Sequence, residues 1–477
     1  MIKSFIQNSA IYAIATVLTR GISILLVPIY TRYITPAEYG VIDYFMILAS
    51  IINLTIALEI SQAVARYFQD ATNDEEKSSY VSTAFLFTLI VYLLYFVISF
   101  LFASPLANLF LDDSTMTSLF IIASGAIATN GVFYFVQNQL KFEIRPKATA
   151  IVSIINVLVL SCVAIYLLVV VGMKVESIFI AQIIANIVSS IIAIYLSRKN
   201  YAVMFMYSKF KEMISFSYPL VFSGVAVFVA SMVDRMAIKD LLGLEELGIY
   251  GIAYRFASIA GLVMVGFQSS LIPLVYKHYK EPNTPSDISK IFNVFCIFAL
   301  FVVAGSILFS KEMIVLFTTE AFYSSANLIA LLVLVVFFSN MYIFAPGIGI
   351  AKKTKLTAMI TITSAILNTI LNYTLIPIFG VSGASYATLI SAISAFLLYT
   401  VLAYKYYPIP YKTKELVLSF ILVLVCSYGV LNMFSEINLL SIIVKTIYLL
   451  LIGIFISFLL IEKEYLEKIK LKFKRAF

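Results

Sequence analysis

Of the 477 residues, 62% are apolar and only 12% are Asp, Glu, Lys or Arg, about half the charged fraction of a soluble domain. With 33 basic and 25 acidic side chains the sequence cannot coat the surface of the soluble domains its length would otherwise make, and a mean hydropathy of +1.01 points to a bilayer as solvent. The net charge of +8 would fit nucleic acid only if it lay on an exposed domain face; the basic residues instead fill short gaps between apolar runs, and no nucleic-acid partner is expected.

About twenty apolar residues cross the hydrocarbon, and fourteen such spans are predicted. The first seven are 9–30, 40–60, 80–102, 119–137, 148–171, 177–196 and 213–233. The second seven are 248–275, 289–309, 324–344, 357–376, 383–404, 416–434 and 441–461. The first is too long for a signal peptide, contains Arg20 and lacks a small-residue cleavage site, so it is read as an uncleaved helix. Of the 33 Lys and Arg, 25 fall at the N-terminus, in the even gaps or in the tail. Six fall in odd gaps: Arg32, Lys174, Arg235, Lys239, Lys311 and Lys445. Arg20 and Arg255 lie inside spans. This asymmetry places both termini in the cytoplasm. No gap exceeds about twenty residues and no phosphate-binding loop is present, so neither an enzyme nor a bound cofactor is expected. Cys162, Cys296 and Cys426 lie inside apolar runs without CxxC spacing; they read as buried small residues, with no disulfide or metal site implied.

An internal repeat appears at an offset of 208 residues. Residues 37–51 set against 245–259 share Glu38 with Glu246, Gly40 with Gly248, and Ala49-Ser50-Ile51 with Ala257-Ser258-Ile259. Six spans separate the copies, so two parallel lobes related by a pseudo-two-fold axis along the membrane normal are predicted, an alternating-access architecture. The lobes are 1–200 and 201–405, followed by two additional transmembrane helices in 406–461 and a basic tail at 462–477. The fold class is therefore an all-α membrane protein of about fourteen transmembrane helices.

Arg32-Tyr33-Ile34-Thr35-Pro36-Ala37-Glu38-Tyr39-Gly40 resembles the RxLxPxxYG pattern of polysaccharide transporters in the multidrug/oligosaccharidyl-lipid/polysaccharide exporter superfamily. Pro219, Val233-Asp234-Arg235 and Leu247-Gly248-Ile249-Tyr250 are similar to the start of that family's second lobe, and Asn368, Asn372 and residues 376–384 to its eleventh and twelfth helices. The resemblance implies a flippase for undecaprenyl-diphosphate-linked oligosaccharide, as in O-antigen (lipopolysaccharide) or capsule export, in a bacterial cytoplasmic membrane. Its implied partners are the lipid-linked oligosaccharide, membrane lipids, and a polysaccharide polymerase with glycosyltransferases. The alternative is a cation-coupled exporter of drugs or other small molecules with the same fold. That reading would need a coupling carboxylate deep in a span, whereas Asp43 and Glu59 sit near span ends.

Arg20 lies eleven residues into its span, about 16 Å deep, where a charge costs about 2.5 to 3.5 kcal/mol and usually faces a cavity. Asn8, Tyr12, Thr16 and Ser23 share its helical stripe. Arg255 has the same character in the eighth span, and the related lipid II flippases place arginines on these two helices. A guanidinium fork suits a diphosphate; the competing reading is structural pairing with Asp43, Glu59 or helix carbonyls. Asp43 is a gating partner for Arg20 or a carboxylate stabilised at a helix start. Glu59 with Arg66 marks a cytoplasmic entrance or an interfacial ion pair, and Asp234 with Arg235 is weighed in the same way at the outer end of the seventh span. Asn368 and Asn372, with Thr357, Thr361 and Ser364, form a polar stripe that could serve sugar hydroxyls or helix-to-helix hydrogen bonds. Similar stripes run through Tyr134, Gln137 and Asn138, and through Gln182, Asn186 and Ser189. His278, the only histidine, reads as solvated.

Overall fold

A computed structural model describes residues 2–460; the basic tail at 462–477 and the side chain of Asn8 lie outside the described residues. Among these residues every regular element is helical. By contact the chain divides into two units, Met1–Gly251 and Ile252–Phe477.

The first unit holds α1 (Ile2–Leu25), α2 (Val27–Tyr33), α3 (Pro36–Ile56), α4 (Ile60–Asp70), α5 (Asp74–Leu101), α6 (Ala103–Leu111), α7 (Thr117–Phe142), α8 (Pro146–Ile165), α9 (Val175–Leu196) and α10 (Tyr207–Leu242). It also holds the first part of α11 (Leu244–Ala257). The start of α3 is written in its sequence. The Thr35 hydroxyl accepts from the Glu38 amide at 3.3 Å and the Glu38 carboxylate accepts from the Thr35 amide at 2.8 Å. This capping box is followed by Pro36, whose missing N–H would have found no helical partner there. The centre of the unit is α7, packed on α5 and α9, while α8 packs on α1 and α9. Gly131 makes room for the Tyr92 ring: a Cβ there would lie 1.9 Å from the ring. The Tyr92 hydroxyl then donates to Asn53 at 2.7 Å, and Asn53 donates to Asn130 at 3.0 Å. Helix α10 packs on α3, α4 and α5.

The second unit continues with the rest of α11, then α12 (Gly261–His278), α13 (Thr284–Phe317), α14 (Ala326–Asn340), α15 (Gly347–Ile350), α16 (Thr354–Phe379), α17 (Val381–Tyr404), α18 (Thr413–Met433) and α19 (Leu439–Leu460). The pairs α16–α17 and α14–α17 pack together, and α13 carries α14, α18 and α19. Close approach depends on small residues, as expected where lipid removes the hydrophobic drive for helix association. A Cβ on Gly347 would lie 2.2 Å from the Ala403 carbonyl oxygen, and one on Gly383 2.3 Å from that of Leu375.

Each expected span coincides with a helix or a broken helix. Among the described residues twelve helices are long and apolar enough to cross a membrane, and a thirteenth span is counted if α11 and the start of α12, bent by 47°, act as one. The remaining expected span, 213–233, lies within the 36-residue α10, which is not among the twelve. Two sequence readings are corrected. Cys162 is exposed instead of buried; the outward face of a membrane helix also meets an apolar solvent, so composition does not distinguish the two. Lys445, assigned above to an outward gap, lies inside α19 with its side chain fully buried against Glu312 of α13.

Candidate functional site

The two repeat copies meet. A Cβ on Gly40 would lie 1.7 Å from the Leu244 carbonyl oxygen, and one on Gly248 would lie 1.9 Å from that of Pro36. Adding the 208-residue offset to 40 and 36 gives 248 and 244, so the contact is reciprocal: each glycine abuts the partner copy's equivalent residue. One turn further, a Cβ on Gly251 would lie 1.6 Å from Oδ2 of Asp43, and these two positions are again repeat equivalents. Asp43 is buried on α3. Backbones of α3 and α11 touch here because neither helix carries a side chain at the crossing. The repeat itself was the only sequence signal for this arrangement, and it gave no hint that the copies face each other.

At the other end of α3 the helix breaks. Leu58 and Glu59 both adopt left-handed backbone, with φ of 50° and 52°, a conformation non-glycine residues hold only when their surroundings impose it. Glu59 is half-buried and borders a small pocket with Asn53, Thr88, Tyr92 and Tyr134. Arg66 does not reach Glu59; it pairs with Asp70 at 3.2 Å, exposed on the amphipathic α4. The segment joining α9 to α10 is fastened nearby. Lys209 donates to Glu76 and to the Tyr80 hydroxyl, each at 2.8 Å, and that hydroxyl donates to Glu212 at 2.9 Å. Desolvation alone would lower the Lys209 pKa, but its hydrogen bonds to Glu76 and Tyr80 outweigh this and hold it above the usual lysine range. The Ala202 and Met206 amides donate to Ser82 and Thr83.

Arg20 is exposed on α1 and, among the described residues, has neither an ion-pair nor a hydrogen-bond partner. Its stripe offers no compensation: the Thr16 and Ser23 hydroxyls donate back to the Tyr12 and Thr19 carbonyls at 2.8 and 3.0 Å. Asp234 is buried and accepts from the Tyr250 hydroxyl, and the Arg235 guanidinium lies 5.9 Å from the centre of the Tyr250 ring. In the second unit Arg255 is half-buried on α11. Asn368 donates to Thr388 of α17 at 3.2 Å, and Asn372 donates to the Asn368 carbonyl at 2.9 Å. Both are buried in the α16–α17 seam, where Asn372 Oδ1 has no hydrogen-bond partner. Of the other polar stripes, Gln137 donates to Ser153 and Asn186 is bonded to Asn156 and Thr129. His278 faces Glu281 at 2.6 Å. No group of three or more His, Cys, Asp or Glu side chains is arranged to hold a metal ion among the described residues.

The sequence profile described as polysaccharide biosynthesis protein matches residues 5–279, more than half of the chain. The chain belongs to that family. A second profile, MatE, matches residues 219–374. An uncharacterized membrane protein of Haemophilus influenzae is 23% identical over 292 residues, covering 58% of this chain and 67% of the relative. Among solved structures, the inward closed conformation of the lipid II flippase MurJ superposes with a TM-score of 0.75 at 17% identity, covering 94% of this chain and 97% of that one. An inward-facing multidrug resistance MATE family transporter gives 0.62 at 16% identity, covering 81% and 94%. At such identities the likeness shows the fold alone. This polysaccharide biosynthesis protein is thus a multi-pass membrane protein with the fold shared by a flippase and exporters.

Proposed function

We propose that the protein flips an undecaprenyl-diphosphate-linked oligosaccharide, the repeat unit of an O-antigen or capsule, across the bacterial cytoplasmic membrane by alternating access, with both termini cytoplasmic. Arg20 carries the reading. A guanidinium within a span and without a partner among the described residues leaves positive charge that hydrocarbon would not tolerate, and a diphosphate both neutralises it and matches its fork. Arg255 is the second proposed diphosphate contact. Asp43, beside Gly251 at the α3–α11 crossing, is the proposed gate residue, with Glu59 and Arg66 at one end of the same helical stretch and Asp234 and Arg235 on α10. Asn368 and Asn372 are proposed to meet the sugar only if the α16–α17 seam opens. Family membership and the fold shared with a lipid II flippase support this reading. A polymerase and glycosyltransferases encoded beside this gene would be the expected partners.

Substitution tests it. Arg20→Ala should abolish surface polysaccharide while the protein stays in the membrane at normal abundance, and Arg20→Lys, which keeps charge and loses the bidentate fork, should export partially. Normal export by Arg20→Ala would exclude the arginine as the diphosphate contact. The MatE match favours a second reading, a cation-coupled small-molecule exporter; deletion would then raise drug susceptibility and leave surface polysaccharide intact.

A further inference from the structure

A groove of about 510 Å³ runs along the first unit between α5 and α9, with α7 as its floor. Helix α5 presents Phe85, Leu89, Leu93 and Phe96 to it, and α9 presents Ile183, Ile187, Ile191 and Ile194. Both sets recur at three or four residues, so each is one stripe of its helix. The floor is kept low by Gly125 and Ala128; a Cβ on Gly125 would already press on Ile183 at 3.3 Å and on Phe96 at 3.4 Å. The polar side chains beneath are turned away. Thr129 donates to the Gly125 carbonyl at 3.0 Å, and Asn186 is held between Asn156 and Thr129. What remains at the surface is hydrocarbon, and Leu93 and Ile191 are 60% and 62% exposed along its rims. From Phe85 to Phe96 the groove is about 16 Å long at 1.5 Å per residue, roughly half the hydrocarbon thickness. That is the reach of a chain from one leaflet.

One end of the groove is basic. Helix α9 ends at Leu196 and a short 3-10 turn, Arg198–Asn200, follows it; Tyr201, just beyond, sets its ring 5.1 Å from that of Phe85, which places this turn at the Phe85 and Ile194 end of the groove. The Arg198 guanidinium lies 4.9 Å from the centre of the exposed Tyr195 ring, which itself follows Ile191 by one turn. Lys199 is exposed beside it. The acid bonded to this turn, Glu143, is already engaged by Ser197, Asn200 and Arg145. A cation with no acidic partner among the described residues therefore stands at the mouth of an apolar groove one leaflet long.

We infer that this groove binds an anionic diacyl phospholipid, with one acyl chain between α5 and α9 and the headgroup phosphate on Arg198. The charge selects the occupant: a zwitterionic lipid would bring its own ammonium to the same mouth, whereas an anionic headgroup gains the full attraction of a basic residue at the membrane surface. The site is separate from Arg20 and does not rest on the cargo proposed above.

The full-length protein is reconstituted in nanodiscs of equal phosphatidylcholine and phosphatidylglycerol, and the lipid retained on release is identified by native mass spectrometry. Wild type should retain phosphatidylglycerol preferentially. Arg198→Ala should lower that preference about fivefold, the equivalent of about 1 kcal/mol for one basic residue at the surface. Ala128→Phe, which fills the floor, should lose the retained lipid; because it could also unfold the protein, a diazirine-tailed phosphatidylglycerol is used in parallel on wild type and should label peptides of α5, α7 or α9. Equal retention of both lipids, unchanged preference in Arg198→Ala, or labelling confined to other helices would each overturn the proposal. Displacement of phosphatidylglycerol by undecaprenyl phosphate would show that the groove belongs to the carrier, and the phospholipid assignment would be wrong.

Discussion

Gly40 and Gly248 are each one methyl group away from a collision. A Cβ at either position falls well inside the van der Waals radius of a backbone carbonyl oxygen, and a backbone cannot swing aside as a side-chain tip can. Overpacking of this kind costs about 1 to 3 kcal/mol. We expect Gly40→Ala and Gly248→Ala to lower thermal stability by similar amounts, since the two contacts mirror each other. Gly21→Ala and Gly429→Ala, where a Cβ meets nothing within 4 Å, should be neutral or slightly stabilising. Unequal losses at the first pair, measured by thermal unfolding in detergent, would contradict a reciprocal crossing. Lys445 and Glu312 give a second residue-level expectation. Lys445 is fully buried, and Glu312 keeps one carboxylate oxygen without a hydrogen-bond partner, so the ion pair is all that balances either charge. Lys445→Met should cost about 3 to 5 kcal/mol by stranding the carboxylate, and the double variant with Glu312→Gln should recover most of it. No recovery would mean that Lys445 acts through packing.

Among the elements, α3 begins at Pro36, four residues ahead of the span read from 40, and its start was written in residues used only for the family pattern. Thr35, Pro36 and Glu38 are together a helix-start signal and part of the pattern by which the family was recognised, and the structure shows those residues capping the helix. The breaks at Leu58-Glu59 and at Ile144 were not legible, because those residues are not the ones left-handed backbone prefers, unlike Gly243 and Gly380 at the ends of α10 and α16. Ile144 closes α7 with φ of 54° and its side chain 65% exposed. A β-branched residue pays a steric penalty of about 1 to 2 kcal/mol in that conformation, and little packing is lost on removing it. Ile144→Gly should therefore raise the unfolding temperature, with Ile144→Asn between the two; a decrease in both variants would show that the exposed side chain contributes more than the strain costs. Leu58 and Glu59 escaped sequence reading for the same reason. So did the bend between α11 and α12, where an unbroken apolar run conceals a change of direction. The polar stripe of Asn368 and Asn372 was visible as a stripe, but periodicity cannot tell a side chain facing a cavity from one spent on a helix, and the structure spends Asn368 on Thr388 of α17 and Asn372 on Asn368 of its own helix.

For the whole molecule, the helices were legible because hydrocarbon demands the same apolar length from each, whereas the placement of single charges was not: the sequence set Arg20 inside a span and Lys445 in an outward gap, yet Lys445 lies inside a helix too, paired with Glu312, while Arg20 has no partner among the described residues. Orientation rests on the Lys and Arg asymmetry. Single cysteines at 112–114 and at 412–415, in a background without native cysteine, should differ in intact cells: an impermeant thiol reagent should label the first site only, and labelling of the second alone would invert the topology. The α3–α11 crossing also bears on ancestry. A contact that maps onto itself when the two copies are exchanged, 208 added to the number in the first and taken from the number in the second, is the contact two identical half-length chains would make about a dyad. A gene duplication that fused such a homodimer would leave this patch of touching backbone as the fossil of the old subunit interface.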